Sequence, residues 1–195
     1  MEILRQLDYI IIEFINSIGY LAPLLASSLI VIEAFVPFLP LMVFITVNFY
    51  YFGYFFGFLI SLILTIIGSY IVFKLLRKGF KSWFDSKING DKYQKINKLM
   101  LKVDNLTLEQ LVIVMAIPFT PSFLINAVAG LSSVSEKKFL MSLLIGKGFM
   151  VYFWGFVGRS LIDSFKDPRS LVTIIILVLI AFGLSKIVNK KYGIE

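Results

Sequence analysis

Two pairs of prolines, each pair spaced by two residues, interrupt long apolar runs: Val36-Pro37-Phe38-Leu39-Pro40 and Ile117-Pro118-Phe119-Thr120-Pro121. Proline lacks the N–H that continues a helix, and its ring clashes with the carbonyl four residues back. Neither run can therefore pass through its motif as one straight helix. The surrounding sequence makes this a strong constraint. Between Ile18 and Phe73 the one charged residue is Glu33, and Gln110 to Ser135 holds none. Of 195 residues 58% are hydrophobic and mean hydropathy is +0.89, so the chain is expected to be an integral membrane protein. Inside a bilayer, broken backbone survives only where it is buried in protein or lines a wet cavity.

Length arithmetic turns the breaks into an architecture. A crossing needs about 20 apolar residues for a hydrocarbon layer of roughly 30 Å. Leu41 to Phe73 would make one helix of about 50 Å, too long for one crossing and too short for two. Gly53 is expected to divide it into a short arm, Leu41 to Phe52, and a full span from Tyr54 to Phe73. In the second run, Thr107-Leu108-Glu109-Gln110 has the spacing of a capping box, and Leu108 to Ile117 reaches only about 15 Å before Pro118. Ser122 to Leu131 is a return arm of similar length. Two half-helices meeting at a proline turn predict a hairpin that enters and leaves on one side; a single span kinked at Pro118–Pro121 is the alternative. The leading arm of the first copy, Ile18 to Val36, is long enough to cross, so its re-entrant reading leans on the repeat.

The remaining segments follow by pattern. Residues 1–17 alternate Ile, Leu and Phe with polar groups at helical spacing, predicting an amphipathic interfacial helix. The opening lacks the basic start of a cleavable leader. Residues 74–106 form a basic loop, with nine Lys/Arg against Asp85 and Asp91 between Lys74 and Lys102, containing an amphipathic helix over Asp91–Lys102. Beside a span such charge points to the cytoplasmic side and to anionic headgroups, not to nucleic acid. Phe139–Gly158 and Leu171–Val188 read as two further spans, and the tail carries Lys186, Lys190 and Lys191. The whole chain, 1–195, reads as one membrane domain with cytoplasmic C-terminus and basic loop.

The pentapeptides lie 81 positions apart, each followed by a short apolar arm and a span. The two units, 18–73 and 107–158, are separated by one complete crossing, so their hairpins would enter from opposite faces. That is an inverted-topology repeat, an arrangement used by secondary transporters around a midplane site. The expected fold class is thus all-α integral membrane: two re-entrant hairpin-plus-span units, an added C-terminal span and an N-terminal amphipathic helix.

Glu33 before Pro37-x-x-Pro40, then Pro118-x-x-Pro121 with Asn126, Ala129-Gly130, Phe139 and Gly146, resemble the DedA/VTT-domain (SNARE-associated) superfamily, in its Pro-x-x-Pro branch, over roughly residues 20–160. The resemblance implies opposed re-entrant hairpins and a role in moving or scrambling lipids, among them polyprenyl phosphates in bacteria and phospholipids in eukaryotes. It matches Glu33 to the family's acidic residue at hairpin one, and Pro118, Pro121, Asn126 and Gly130 to hairpin two. Met115 departs from the pattern, standing where the family usually carries arginine.

Individual residues carry competing readings. A lone intramembrane carboxylate such as Glu33 is a functional candidate, for proton transfer or as a counter-charge; the alternative is a cap for broken backbone near Pro37. Lys147, mid-span between Gly146 and Gly148, is expected to face a cavity, where it pairs with Glu33 or attracts a phosphate; a structural ion pair is equally open. Asn126 and Thr120 complete the expected pathway, with Pro37, Pro40, Pro118 and Pro121 as the breaks. Thr46, Asn48 and Ser122 read as partners for broken backbone, and Arg159 as an interfacial anchor. Gly53, Gly57, Gly68, Gly155 and Gly158 read as close-packing positions, and Tyr50-Tyr51-Phe52 and Tyr152-Phe153-Trp154 as lipid-facing belts.

With no cysteine or histidine, no phosphate-binding glycine loop and no paired intramembrane acids, no enzymatic chemistry, metal or cofactor is expected. The leading expectation is a transporter or scramblase of a phosphate-bearing lipid in a bacterial plasma membrane, with oligomeric state open. An ion or small-solute carrier and a non-transporting assembly factor are the alternatives.

Overall fold

A computed structural model describes residues 19, 21–36, 39–82, 86, 94–164 and 169–192. The expected helix over 1–17, Pro37, residues 83–85 and 87–90 of the basic loop and the start of the helix placed at Asp91 lie outside the described residues. Seven helices order the rest: α1 Leu21–Glu33, α2 Leu41–Leu75, α3 Gln94–Asn105, α4 Leu108–Ala116, α5 Ser122–Leu131, α6 Glu136–Ser164 and α7 Arg169–Tyr192. A π-helical turn, Leu76–Phe80, extends α2. The described residues contain no strand. Three stretches are long and apolar enough to cross a membrane: Leu41–Phe80, Glu136–Ser164 and Leu171–Tyr192. The protein is an all-α integral membrane protein.

α2 is not one rod. Gly53 adopts φ 73° and ψ 179°, a conformation open essentially to glycine alone. The chain then reverses. Asn48 Nδ2 donates to Ser61 Oγ at 3.1 Å, whereas thirteen residues along a straight helix would separate them by about 20 Å. The space around Gly53 is open, so it serves the turn and not, as expected from sequence, close packing.

Both proline motifs also reverse the chain. Ser27 in α1 donates to Asn48 Oδ1 across tip one at 3.2 Å. Asp104 Oδ1, just before α4, accepts from Ser133 N, just after α5, at 2.7 Å. A single kinked span would hold those two residues far apart, so α4 and α5 form a hairpin. Thr107 starts it as expected: its Oγ1 accepts from Gln110 N at 3.3 Å, and Gln110 Oε1 accepts from Thr107 N at 2.9 Å. α1, described over 13 residues, measures about 20 Å. It is shorter than the crossing that Ile18–Val36 allowed.

The two units repeat their packing as well as their sequence. Val31 and Ala34, preceding tip one, lie against Gly68 of α2; Val112 and Met115, 81 positions on, lie against Gly146 of α6. The returning arms cross over. Phe49 sets its ring against Gly155 of α6, while Gly130 of α5 receives the backbone of Phe73 in α2. Half one thus supplies both knobs, one on its returning arm and one on its span, half two supplies both glycine holes, and each hairpin bridges both spans.

Several boundaries move from the expected ones. α2 continues past Lys74, because Arg77 and Lys81 turn their charges onto α5 and do not enter a loop. α3 ends at Asn105 and buries Met100 and Val103 against the base of hairpin two. α6 and α7 both exceed their expected limits, adding polar turns at the ends of the apolar stretch.

Candidate functional site

The two tips meet. A cavity of about 310 Å³ is lined by Glu33, Leu39 and Pro40 from tip one, residues 118–123 from tip two, and Met150 and Trp154 from α6. Helices stop at both prolines with a backbone that is largely self-satisfied. Phe35 N and Val36 N donate to Ile32 O, Leu39 N to Val36 O, and Thr120 N to Ile117 O. Among the described residues no donor requires the Glu33 carboxylate, which weakens its reading as a backbone cap. Trp154, expected to face lipid, faces the cavity instead.

Behind Ser122 lies a second, narrower pocket, lined by Met115, Thr120, Ser122, Asn126 and Lys147, without room for a water molecule. Lys147 is 1% exposed. Its ammonium donates to Ser122 Oγ at 2.6 Å and lies 3.7 Å from Met150 Sδ. Gly146 makes this depth accessible to α4, but Gly148 faces open space, so only one of the two flanking glycines serves packing. Asn126 is also 1% exposed, and among the described residues neither its Oδ1 nor its Nδ2 has a hydrogen-bond partner. Orphaned buried amide atoms are rare and call for a reason.

Glu33 and Lys147 form no ion pair; the salt bridges among the described residues are Lys74–Glu136 and Arg159–Asp163. The two intramembrane charges therefore stand on opposite sides of Ser122, one in the open cavity and one in the closed pocket. The structure brings Glu33, Pro40, Pro118, Thr120 and Pro121 to the cavity, and Lys147, Asn126 and Thr120 to the pocket.

Sequence reasoning missed some participants and misread others. Thr120 Oγ1 donates to Asn189 Oδ1 at 3.2 Å, and Asn189 Nδ2 to Ser185 Oγ at 3.3 Å, so α7 holds tip two through a polar face. Asn48 joins three segments through side chains and does not serve broken backbone. Arg77, read only as loop charge, donates to the carbonyls of Ala129, Gly130, Ser132 and Val134 at 2.6–3.1 Å, with Lys81 on Leu131 and Ser132. Arg159 plays the matching part at the other end: it donates to Phe49 O at 3.4 Å and lies over the Tyr50 and Tyr54 rings. Arg159, expected as an interfacial anchor, thus serves as a cap on the carbonyl end of the arm before Gly53.

Residues 37–160 match the VTT domain. The uncharacterized membrane protein YhjE of Bacillus subtilis (strain 168) is 31% identical over 180 residues, covering 91% of this chain and 85% of its own. The uncharacterized protein YqeD of the same organism is 27% identical over 136 residues, covering 70% of this chain and 64% of its own. No solved structure matches the chain significantly.

Proposed function

The chain belongs to the VTT-domain family of membrane proteins, and on that premise we propose that it moves phosphate-bearing lipids between the leaflets of a bacterial plasma membrane. The observation that carries this reading is the convergence of both proline tips and an intramembrane acid on one cavity. In this account the hairpins are re-entrant from opposite faces, and the cavity between their tips is the polar step for a headgroup while its chains stay in hydrocarbon. Glu33 supplies the exchangeable proton or the counter-charge. Lys147 supplies the anion attraction, as a point charge presented through Ser122, with Asn126 providing the unused amide. Met115 and Lys147 line the same pocket, so a cation reaches that position from α6 where the family usually brings it from the hairpin. The basic surface of α3 and the tail contacts anionic headgroups on the cytoplasmic side.

The test is translocation of fluorescent lipids in proteoliposomes, with phosphatidyl lipids and a polyprenyl phosphate, each with and without a pH gradient. Glu33→Gln and Lys147→Met are each expected to slow translocation about ten-fold or more in folded protein. Wild-type inactivity towards every lipid, with a substrate-independent proton flux, would favour a solute carrier. Activity unchanged in Glu33→Gln, with stability lost in detergent, would favour an assembly factor.

A further inference from the structure

A second cavity, of about 520 Å³, opens between the end of α4, α6 and α7. Its size is within the range of small-molecule sites. Among its lining side chains only Tyr152 carries a polar atom; the rest are aliphatic or aromatic, including Phe149, Phe153 and Leu184. Ala116 and Ala181 are the small residues that leave the space open. Pro118 belongs to both cavities, so the apolar groove begins where the tip cavity ends. Between them stands Phe119, edge-on to Trp154 at 5.3 Å and to Phe182 at 5.6 Å between ring centroids.

We propose that this groove holds the hydrocarbon chain of a phosphate-bearing lipid whose headgroup reaches the tip cavity past Phe119. The proposal rests on the lipid reading above for the headgroup, and adds a chain site to it. Three observations select a lipid chain over other occupants. α6 and α7 are both membrane-spanning, so the groove opens onto acyl chains and not onto water. A helix from a second copy would need a surface of small residues for close backbone approach, whereas phenyl rings flank this groove. The shared wall at Pro118 also sets a cavity that holds Glu33, Thr120 and Ser122 against one whose lining is apolar but for Tyr152, the order of parts in a lipid molecule.

The experiment uses the full chain in nanodiscs containing a phospholipid with a photoreactive group midway along one acyl chain. Labelling is mapped on the peptide holding Ala181 and Leu184 and compared with that holding Ile63, an exposed position on the outside of α2. The expected result is labelling of the groove that saturates at low probe fraction and is competed by unlabelled phospholipid but not by diacylglycerol. Ala181→Trp should lower groove labelling about ten-fold and leave Ile63 labelling unchanged. Groove labelling that only rises in proportion to probe, as on any annular surface, would overturn the proposal. The wild-type saturation curve decides this even if Ala181→Trp fails to fold. A wild type that moves lipid but labels without saturation rejects the chain site alone; saturable labelling without movement rejects the transport reading alone.

Discussion

Hairpin two is fastened far more heavily than hairpin one, although both are built from the same unit. Where α5 ends, Arg77 makes four hydrogen bonds to carbonyls and lies 4.5 Å over the Phe73 ring, while Lys81 makes two more. Lys74 meets Glu136 at 2.5 Å beside them, and Tyr70 donates to the same carboxylate. At the equivalent end of hairpin one, Arg159 reaches a single carbonyl at 3.4 Å, and its ion pair with Asp163 spans 3.7 Å. The tips differ in the same sense: tip two is tied to α6 and α7, while Glu33 at tip one is unpaired among the described residues. Among the described residues, hairpin two is therefore the more firmly held of the two units.

The comparison can be broken by substitution. The largest effect is expected from Arg77→Ala, which strips several carbonyls of a charged donor and should cost about 3 kcal/mol in detergent unfolding, against about 1 kcal/mol for Arg159→Ala. Equal losses would remove the asymmetry. Next come the knobs and holes. A Cβ at Gly130 would lie 2.8 Å from the Phe73 carbonyl oxygen, which cannot move away, whereas one at Gly155 meets the outer edge of the Phe49 ring. Gly130→Ala should therefore cost about 2–3 kcal/mol and Gly155→Ala about 1 kcal/mol. Gly53→Ala meets no neighbour, so its cost of about 1–2 kcal/mol is backbone strain alone, and it should loosen hairpin one selectively in hydrogen exchange. The smallest effect is expected from Thr120→Val, which deletes the bond to Asn189 for about 0.6 kcal/mol, typical of intramembrane hydrogen bonds.

What could be read in the sequence was what local rules govern. The breaks at Pro118–Pro121 and Gly53 and the capping box at Thr107 follow from backbone chemistry within a few residues, and all stand where expected. The convergence of the tips followed from the repeat. The packing of Phe49 with Gly155 and of Gly130 with Phe73 did not, because it depends on how two distant spans lie side by side. Arg77 resembled its basic neighbours, since nothing local distinguishes a cation bound to carbonyls from one in solvent. Asn189 lay past the expected end of the last span, among lysines. Its one signal was the four-residue spacing from Ser185, which puts both on one helix face. Lys147 was visible as an intramembrane charge, but its partner Ser122 became evident only with α5 packed beside it.

The proposed function requires that the cavity where both tips meet be reached by water within the membrane. The chain has no cysteine, so single cysteines can report on it directly. Leu39→Cys, Phe123→Cys and the control Ile63→Cys should be treated in sealed vesicles with a charged, membrane-impermeant thiol reagent. Leu39→Cys and Phe123→Cys should react, each protected by a phosphate-bearing lipid, while Ile63→Cys stays inert. Tip cysteines as unreactive as Ile63→Cys would contradict the proposed function.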